Sequence, residues 1–544
     1  MSKVAHYLQE HLIGEVMTST DARRYFATDA SILEIAPALV VYPRNENDVR
    51  KTARFTWQLA ERGRVIPITA RGSGTDQYGA AIGSGIMLVF PAHMHRILEI
   101  DTKAHTITVE PGIIFGKMQQ TLKTHGRFVP SYPASLEYST VGGAIANNAS
   151  GEKSIRYGTT RTFVHGLRVV LANGEVIETG RINKRELNRK LGLATYEGEI
   201  YRSIDALIEE SREVLDSGYR NVGKNNAGYD LSDVKRKDGS FDLTPLFVGS
   251  QGTLGIITEA ILGTTAENPE VALVLASFDS VETAMQAIVE LRHLHDGPSM
   301  IEMVDGNLLQ QAYDQNPNQL KNMFNAPFPP IVLLLEFDGV DRHQKKQLKR
   351  ANKILGHYTE DVRLAEDAEN QQLFSKIRQI SSTVIGHNEG LLRAVPIIDD
   401  AAVPFEQFNV FLNAVYELFK RNNLPVAIWG HIADANIHMQ PKLNLGQVGD
   451  RQKAFRMMDE FYKLVISMGG TISSETGDGR IRTPYLEQQL GTELYGVLKR
   501  VKQIFDPYGT LNPGVKFGSS SDDIKALVRQ DYAHDHIYDH LPRS

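Results

Sequence analysis

Residues 133–151 read PASLEYSTVGGAIANNASG. The adjacent glycines Gly142 and Gly143 open a run of small residues, so backbone amides at its start can approach a phosphate unobstructed. Alone, such a stretch is more often an ordinary turn. Three further segments change the odds. TARGSGTDQYG (69–79) follows the strand-like VIPIT, and Gly72 and Gly74 permit positive φ and a nest of N–H groups beside Arg71 and Thr75. It matches neither famous phosphate motif: Gln77 holds the last glycine position of G-x-G-x-x-G, and no G-K-[ST] follows. VGSQGTLGIIT (248–258) and GTLNPG (509–514) again place glycines beside strand-like sequence. Four such segments point to a phosphate-bearing ligand held by bare backbone.

The chain has 544 residues, too many for one compact core. Its composition, 42% hydrophobic and 23% charged, is that of an ordinary soluble globular protein. A net charge of −6 argues against a nucleic-acid partner. Cysteine is absent, which excludes disulfides, thiol catalysis and cysteine-ligated iron–sulfur clusters within the chain. No apolar run approaches the length of a membrane span, and MSKVAHYLQEHLIGEV is too charged for a secretory signal. The expected compartment is the cytoplasm, with peripheral contact to the inner face of a membrane left open.

An α+β fold is expected. Residues 1–30 read as a helical lead-in. Residues 31–267 alternate β-branched runs (ALVVYP, GIMLVF, TITVEPG) with helical patterns such as NENDVRKTARFTWQLAERG. Residues 268–490 form a second domain that begins strand, helix, strand, helix, strand, helix, a split βαβ pattern. Residues 491–544 are a C-terminal segment and tail; the tail, DYAHDHIYDHLPRS, reads as a solvated terminus despite its three histidines.

Within the second domain, WGHIADANIHMQP (429–441) holds two histidines seven apart. On one helix they would sit roughly 10 Å apart along the axis, and on one strand they would face opposite ways. A hairpin turning at Asp434 and Ala435 sets His431 directly opposite His438, with Cβ atoms about 5 Å apart. Such a pair either holds a metal or braces a turn through hydrogen bonds.

RGSGT, STVGGAIANNASGEKSIRYGTT, KNNAGYDL and GSQGTLGIIT, in this order, resemble the FAD-binding domain of the vanillyl-alcohol oxidase / p-cresol methylhydroxylase (VAO/PCMH) superfamily. IRQI, IIDDAAVP, GHIADANIH, SSETGDGR and DPYGTLNPG resemble its branch of FAD-linked D-2-hydroxyacid dehydrogenases, among them D-lactate dehydrogenases, the glycolate oxidase D subunit and D-2-hydroxyglutarate dehydrogenase. The resemblance covers about residues 29–517. It implies a two-subdomain FAD-binding domain at 31–267, an α+β cap domain over the isoalloxazine at 268–490, and a return to the FAD domain from 491.

By that resemblance, Arg71, Gly72, Ser73, Gly74 and Thr75 cradle the FAD pyrophosphate. Pro133, Ser135, Thr140, Gly142, Gly143, Asn148, Ser150, Gly151, Gly252, Thr253 and Ile257 line the flavin, and Asn512 lies near its ring. Asp76 and Tyr78 replace the small residues usual in the first loop, and Gln251 stands where the family mostly has Glu. With no cysteine, and Asp76 after Thr75, the FAD is expected to be non-covalent.

The branch also implies a divalent metal, zinc-like or manganese-like, on His431, His438 and Glu475, which would lower the pKa of a substrate hydroxyl. Arg378, in IRQI, is the implied carboxylate anchor, and Arg393, in GLLRAVP, the second candidate. The expected reaction oxidises a D-lactate-like D-2-hydroxy acid to the 2-oxo acid, with hydride passing to flavin N5. Electrons then go to an acceptor other than oxygen: a quinone, a cytochrome, an electron-transfer flavoprotein or a separate iron–sulfur subunit. A homodimer is compatible with this reading.

One departure bears on mechanism. Thr476 stands where the branch carries the histidine that serves as general base. Metal-assisted ionisation could remove the need for a base, His387 or Asp478 could replace it, or the chain could be a catalytically weak flavin-binding subunit of a hydroxyacid oxidase complex. Ala435 also replaces the glycine of the hairpin turn, which a type I turn tolerates.

Overall fold

The computed structural model describes residues 2–365, 367–387 and 390–532. The tail histidines His534, His536 and His540 lie outside them. The architecture is α+β, as expected. A first sheet has the strand order Glu15–Met17, Leu39–Tyr42, Ile86–Val89, Ile68–Arg71, antiparallel at the first pairing and parallel at the others. Its central runs, LVVY and IMLV, are apolar throughout and almost wholly buried, the composition that parallel strands covered on both faces require. The N-terminal 30 residues are not purely helical: between helices Ser2–His11 and Thr20–Tyr25 lies the edge strand Glu15–Met17. Three residues are too few to show a period of two.

A second, fully antiparallel sheet runs Ile97–Asp101, Thr106–Val109, Ile256–Gly263, Val164–Val170, Val176–Glu178. The four glycine-bearing segments converge between these two sheets. GTLNPG comes from the far end of the chain: Leu511 bridges to Ile68 in parallel, and the Thr510 carbonyl accepts from the Ile68 amide at 2.7 Å.

The cap sheet is antiparallel, in the order Val362–Leu364, Ala272–Phe278, Ile331–Phe337, Met300–Asp305, Trp429–Gly430. Ala272–Phe278 and Ile331–Phe337 are buried at every position, because helices cover both faces. Val281–Arg292 and Asp341–Tyr358 pack on one side; Gly306–Gln315 and Ala368–Gly386 pack on the other. The last of these carries Arg378. Helix Thr492–Phe505 then returns to pack on Tyr196–Glu210 of the first domain.

Among the contacts between the two domains, one short stretch, residues 150–157, has polar side chains that nearly all cross the boundary. Ser150 donates to Glu475 (3.2 Å) and Ser154 to Asp434 (2.6 Å). Glu152 pairs with Arg378, Lys153 with Glu336 (2.7 Å), and Arg156 with Asp338, which also accepts from the Tyr157 hydroxyl at 2.5 Å.

Candidate active site

A cleft opens between the glycine-rich segments. Several of its walls leave no room for a β-carbon. A Cβ on Gly72 would sit 2.2 Å from Thr140 Oγ1, one on Gly74 2.2 Å from Arg71 Nη2, and one on Gly142 2.6 Å from the Pro111 side chain. Gly74 (φ 80°) and Gly252 (φ 71°) are also left-handed, where glycine alone is unstrained. Helix Val141–Asn147 begins at this wall, with the Thr140 side chain capping the Gly143 amide at 3.1 Å. Arg71 is 1% exposed, and its Nη1 donates to the Ala81 carbonyl at 3.1 Å while Nε and Nη2 meet no acceptor among the described residues. Burial lowers its pKa to about 10, a shift that the nearby Asp29 carboxylate opposes. A buried guanidinium with spare donors, facing bare backbone, fits a pyrophosphate.

Of the expected cofactor residues, Arg71, Gly72, Ser73, Gly74, Thr75, Thr140, Gly142, Gly143, Gly252 and Ile257 line this cleft. Others hold its walls. Asn148 is left-handed at the helix C-cap and is bonded to Asn226 and the Arg161 amide. Thr253 is bonded to Tyr229 and Ser250. Asn512 ties three segments together, donating to the carbonyls of Ala80 (2.8 Å) and Gln251 (2.9 Å) and accepting from Thr69 (3.2 Å). Gly151 packs under the Tyr132 carbonyl, whereas Pro133 and Ser135 begin the turns leading to the helix. Ser150 faces Glu475 instead of the cleft. The two departures in the loops are well accommodated. Asp76 lines the cleft and accepts from the amides of Tyr78 and Ala80. Gln251 donates to Asn147 Oδ1 (2.7 Å) and accepts from the Gly479 amide (2.9 Å), a dual role that an ionised Glu could not fill.

The loop 475–479 links the cleft to a second centre. Gly477 packs on the Gln251 side chain. Two residues earlier, Glu475 stands between two imidazoles: Oε1 is 3.0 Å from His431 Nε2, and Oε2 is 3.1 Å from His438 Nε2. One ligand atom from each of the three lies within 4.8 Å of the others. The outer nitrogen of each ring meets a carboxylate, His431 Nδ1 with Glu302 at 2.5 Å and His438 Nδ1 with Asp399 at 2.8 Å. That arrangement presents both Nε2 atoms to a common cation and raises their basicity, as metal-bound histidines require. Burial pulls both imidazoles down, but Glu302 and Glu475 carry His431 up to about 9, and Asp399 carries His438 well above the usual range. For Glu475, burial is outweighed by His431 and Lys224, whose Nζ lies 3.0 Å away, and its pKa falls well below normal. The donor set fits a divalent metal.

The histidines converge by a route other than the expected hairpin. The antiparallel bridge pairs His438 with Trp429, not with His431. Between them, Ile432–Asp434 forms a 3-10 turn and Ala435 is left-handed (φ 51°, ψ 33°), so no type I turn closes at Asp434 and Ala435. The extra residues swing His431 inward from beyond the bridge.

Arg378 lies near enough to Glu302 to feel its charge and is ion-paired with Glu152. Arg393 instead folds onto its own loop, donating to the carbonyls of Gly390 (2.7 Å) and Leu392 (2.9 Å). Of the two alternative bases, Asp478 is committed elsewhere. Asp478 is fully buried with Lys516 at 2.7 Å, and His387 is exposed at the end of helix Ala368–Gly386. Thr476 is likewise committed: its hydroxyl donates to Asp400 Oδ2 at 2.7 Å and accepts from Arg482 at 3.1 Å. Sequence reasoning missed Glu302, Asp399, Lys224 and Glu152. Lys224, Glu152 and Asp399 lie in motifs that carried the resemblance without a role of their own, and Glu302 is a charge inside the largely apolar strand MIEMVD.

Residues 37–180 match the family described as FAD binding domain, and residues 267–515 match FAD linked oxidases, C-terminal domain. The chain belongs to the VAO/PCMH-type family of FAD-linked oxidases. This flavoprotein is 28% identical to D-2-hydroxyglutarate dehydrogenase of Pantoea ananatis over 97% of the chain, which spans only about half (52%) of that relative. It is 29% identical to glycolate oxidase subunit GlcD of Bacillus subtilis, covering 89% of the chain and 90% of the relative. Among solved structures, 4-ethylphenol oxidase from Gulosibacter chungangensis shares the fold of the flavoprotein at a TM-score of 0.67 and 15% identity, over 96% of this chain and 98% of that one. Alkyldihydroxyacetonephosphate synthase does so at 0.62 and 16%, over 94% and 84%. No helix among the described residues is long and apolar enough to cross a membrane.

Proposed function

We propose that the protein oxidises a D-2-hydroxy acid to the 2-oxo acid, using non-covalent FAD in the glycine-lined cleft and a divalent metal on His431, His438 and Glu475. The supporting observation is the position of this trio, one loop away from Gln251 on the cleft wall and beside the Arg378–Glu152 pair. The names of the relatives, a D-2-hydroxyglutarate dehydrogenase and a glycolate oxidase subunit, agree with this substrate class. Among the described residues no histidine lines the cleft, and the chain has no cysteine, which supports a non-covalent flavin.

When bound, FAD supplies a two-electron acceptor and the metal a Lewis acid for the substrate α-oxygen. The protein's own part is positional. Arg378 offers the free edge of its guanidinium to the substrate carboxylate. Glu302 and Asp399 hold the imidazoles in the tautomer that points Nε2 inward. Lys224 and Ser150 steady Glu475, and Asp400 fixes its loop by accepting from the amides of Glu475 (2.7 Å) and Thr476 (3.0 Å). Thr476 and Asp478 are committed elsewhere; a metal on the trio would lower the pKa of the substrate hydroxyl, whose proton would then pass to solvent. Bound FAD would be reoxidised by an external acceptor.

Anaerobic mixing with glycolate, D-lactate and D-2-hydroxyglutarate tests this reading. At least one should bleach the flavin absorbance, and prior chelation should prevent it. Bleaching by none would overturn the proposal. A second reading, a flavin-binding subunit with little activity of its own, draws on the commitment of Thr476 to Asp400 and Arg482. A large gain of activity in Thr476→His over an inert parent would favour it.

A further inference from the structure

The polar shell around the trio is short of positive charge. Five carboxylates, those of Glu152, Glu302, Asp399, Asp434 and Glu475, meet only two permanently charged side chains among the described residues, Arg378 and Lys224, so a divalent ion held on neutral imidazoles would still leave the shell one negative charge in excess. Both are occupied. Lys224 lies 3.0 Å from Glu475 and 3.5 Å from Asp434. Arg378 is paired with Glu152, which is 6% exposed and also accepts from the Tyr132 hydroxyl at 2.8 Å. Neighbouring cations are engaged as well: Lys153 with Glu336, Arg156 with Asp338, Arg482 with Asp400, and Arg393 with backbone carbonyls.

A guanidinium presents its donors in a planar fork, so one edge can hold Glu152 while another takes a single carboxylate. A monoanionic acid suits that arrangement. A second carboxylate on the substrate would enter a buried shell already rich in negative charge, where like charges interact strongly. Each nearby cation already has a partner.

We propose that Glu152 is a specificity-determining residue: it reserves Arg378 for one carboxylate and makes the site selective for short monocarboxylic 2-hydroxy acids over dicarboxylic ones. This rests on the anchoring role of Arg378 proposed above, and it departs from the dicarboxylic acid in the first relatives' name.

The experiment uses the holoenzyme, with Glu152→Gln removing the charge at nearly constant shape and Glu152→Asp retaining it. The parent should favour D-lactate over D-2-hydroxyglutarate in kcat/KM. E152Q should close that gap by about tenfold, mainly through the KM of the dicarboxylate, as expected when one short-range charge is removed. E152D should keep the parent preference. A parent that prefers D-2-hydroxyglutarate, or an E152Q ratio unchanged within about twofold, overturns the proposal. Calorimetric titration with butyrate and glutarate, neither of which carries an oxidisable hydroxyl, separates this inference from the reaction itself. Tighter binding of butyrate, with the difference lost in E152Q, supports the role of Glu152 even if no hydroxy acid bleaches the flavin. Equal affinities in the parent overturn it.

Discussion

At Thr476 the hydroxyl is a structural peg. It is held between Asp400 and Arg482, and Arg482 is itself fully buried over the Tyr78 ring. Thr476→Val should therefore cost roughly 1–3 kcal/mol of stability, the penalty for an unmatched buried polar partner, as read by chemical denaturation. Flavin reduction should fall less than the roughly 10²–10⁴-fold that loss of a general base brings. Glu475→Gln should behave in the opposite way. Lys224 keeps Asp434 as a partner, so the fold survives, but the charge between the two imidazoles is gone. Metal content by elemental analysis should drop well below the about one ion per chain of a filled three-ligand site, while flavin content stays unchanged. His431, His438 and Glu475 were legible because each sits in a short motif that carries its own order. Glu302 and Asp399 were not, since Glu302 meets His431 only once Met300–Asp305 pairs with Trp429–Gly430, across 129 residues of chain.

Among the elements, the alternation of strand and helix from Ala272 to Tyr358 could be read directly, because each run is long enough to display its period. Short elements could not be read in this way. The loop carrying the histidines was expected as a two-residue hairpin, but left-handed Ala435 and the 3-10 turn before it lengthen the connection, a backbone choice that no periodicity encodes. Strand Glu15–Met17 escaped notice for the same reason. It is pinned by Glu15, whose carboxyl is drawn down to about 2, chiefly by Arg44 at 2.6 Å with help from His93 at 2.7 Å. A folded-state pKa below the usual 4.5 means the pairing stabilises the protein above pH 4.5, and the benefit is lost as the pH falls toward 2. The site is 41% exposed, so Glu15→Gln should cost only about 0.5 kcal/mol at pH 7 after screening. Parent and variant melting curves should converge in acid.

For the molecule as a whole, residues 150–157 help to tie the flavin domain to the cap, alongside the buried contacts Lys224–Glu475, Gln251–Gly479 and Lys516–Asp478. Lys153 and Glu336 are 12% and 7% exposed, and among the described residues Glu336 has only Ser299 as a further side-chain partner. Lys153→Met leaves a carboxylate buried at the boundary, at a cost of roughly 3–5 kcal/mol. Calorimetry should then resolve the parent's unfolding into two transitions, with flavin released at the first. The stretch was recognisable as part of a cofactor motif, but its grip on the cap was not, because its partners come from four separate segments.

The bridge between Ile68 and Leu511 also imposes a timetable. The Thr69 hydroxyl must wait for Asn512, 443 residues downstream, before that corner of the cleft is complete. A nascent chain still on the ribosome holds an open cradle, so cofactor loading is a late, post-synthetic event governed by the free FAD available at that moment. A chain truncated after Phe505 should elute from a sizing column colourless, however much riboflavin its host is fed.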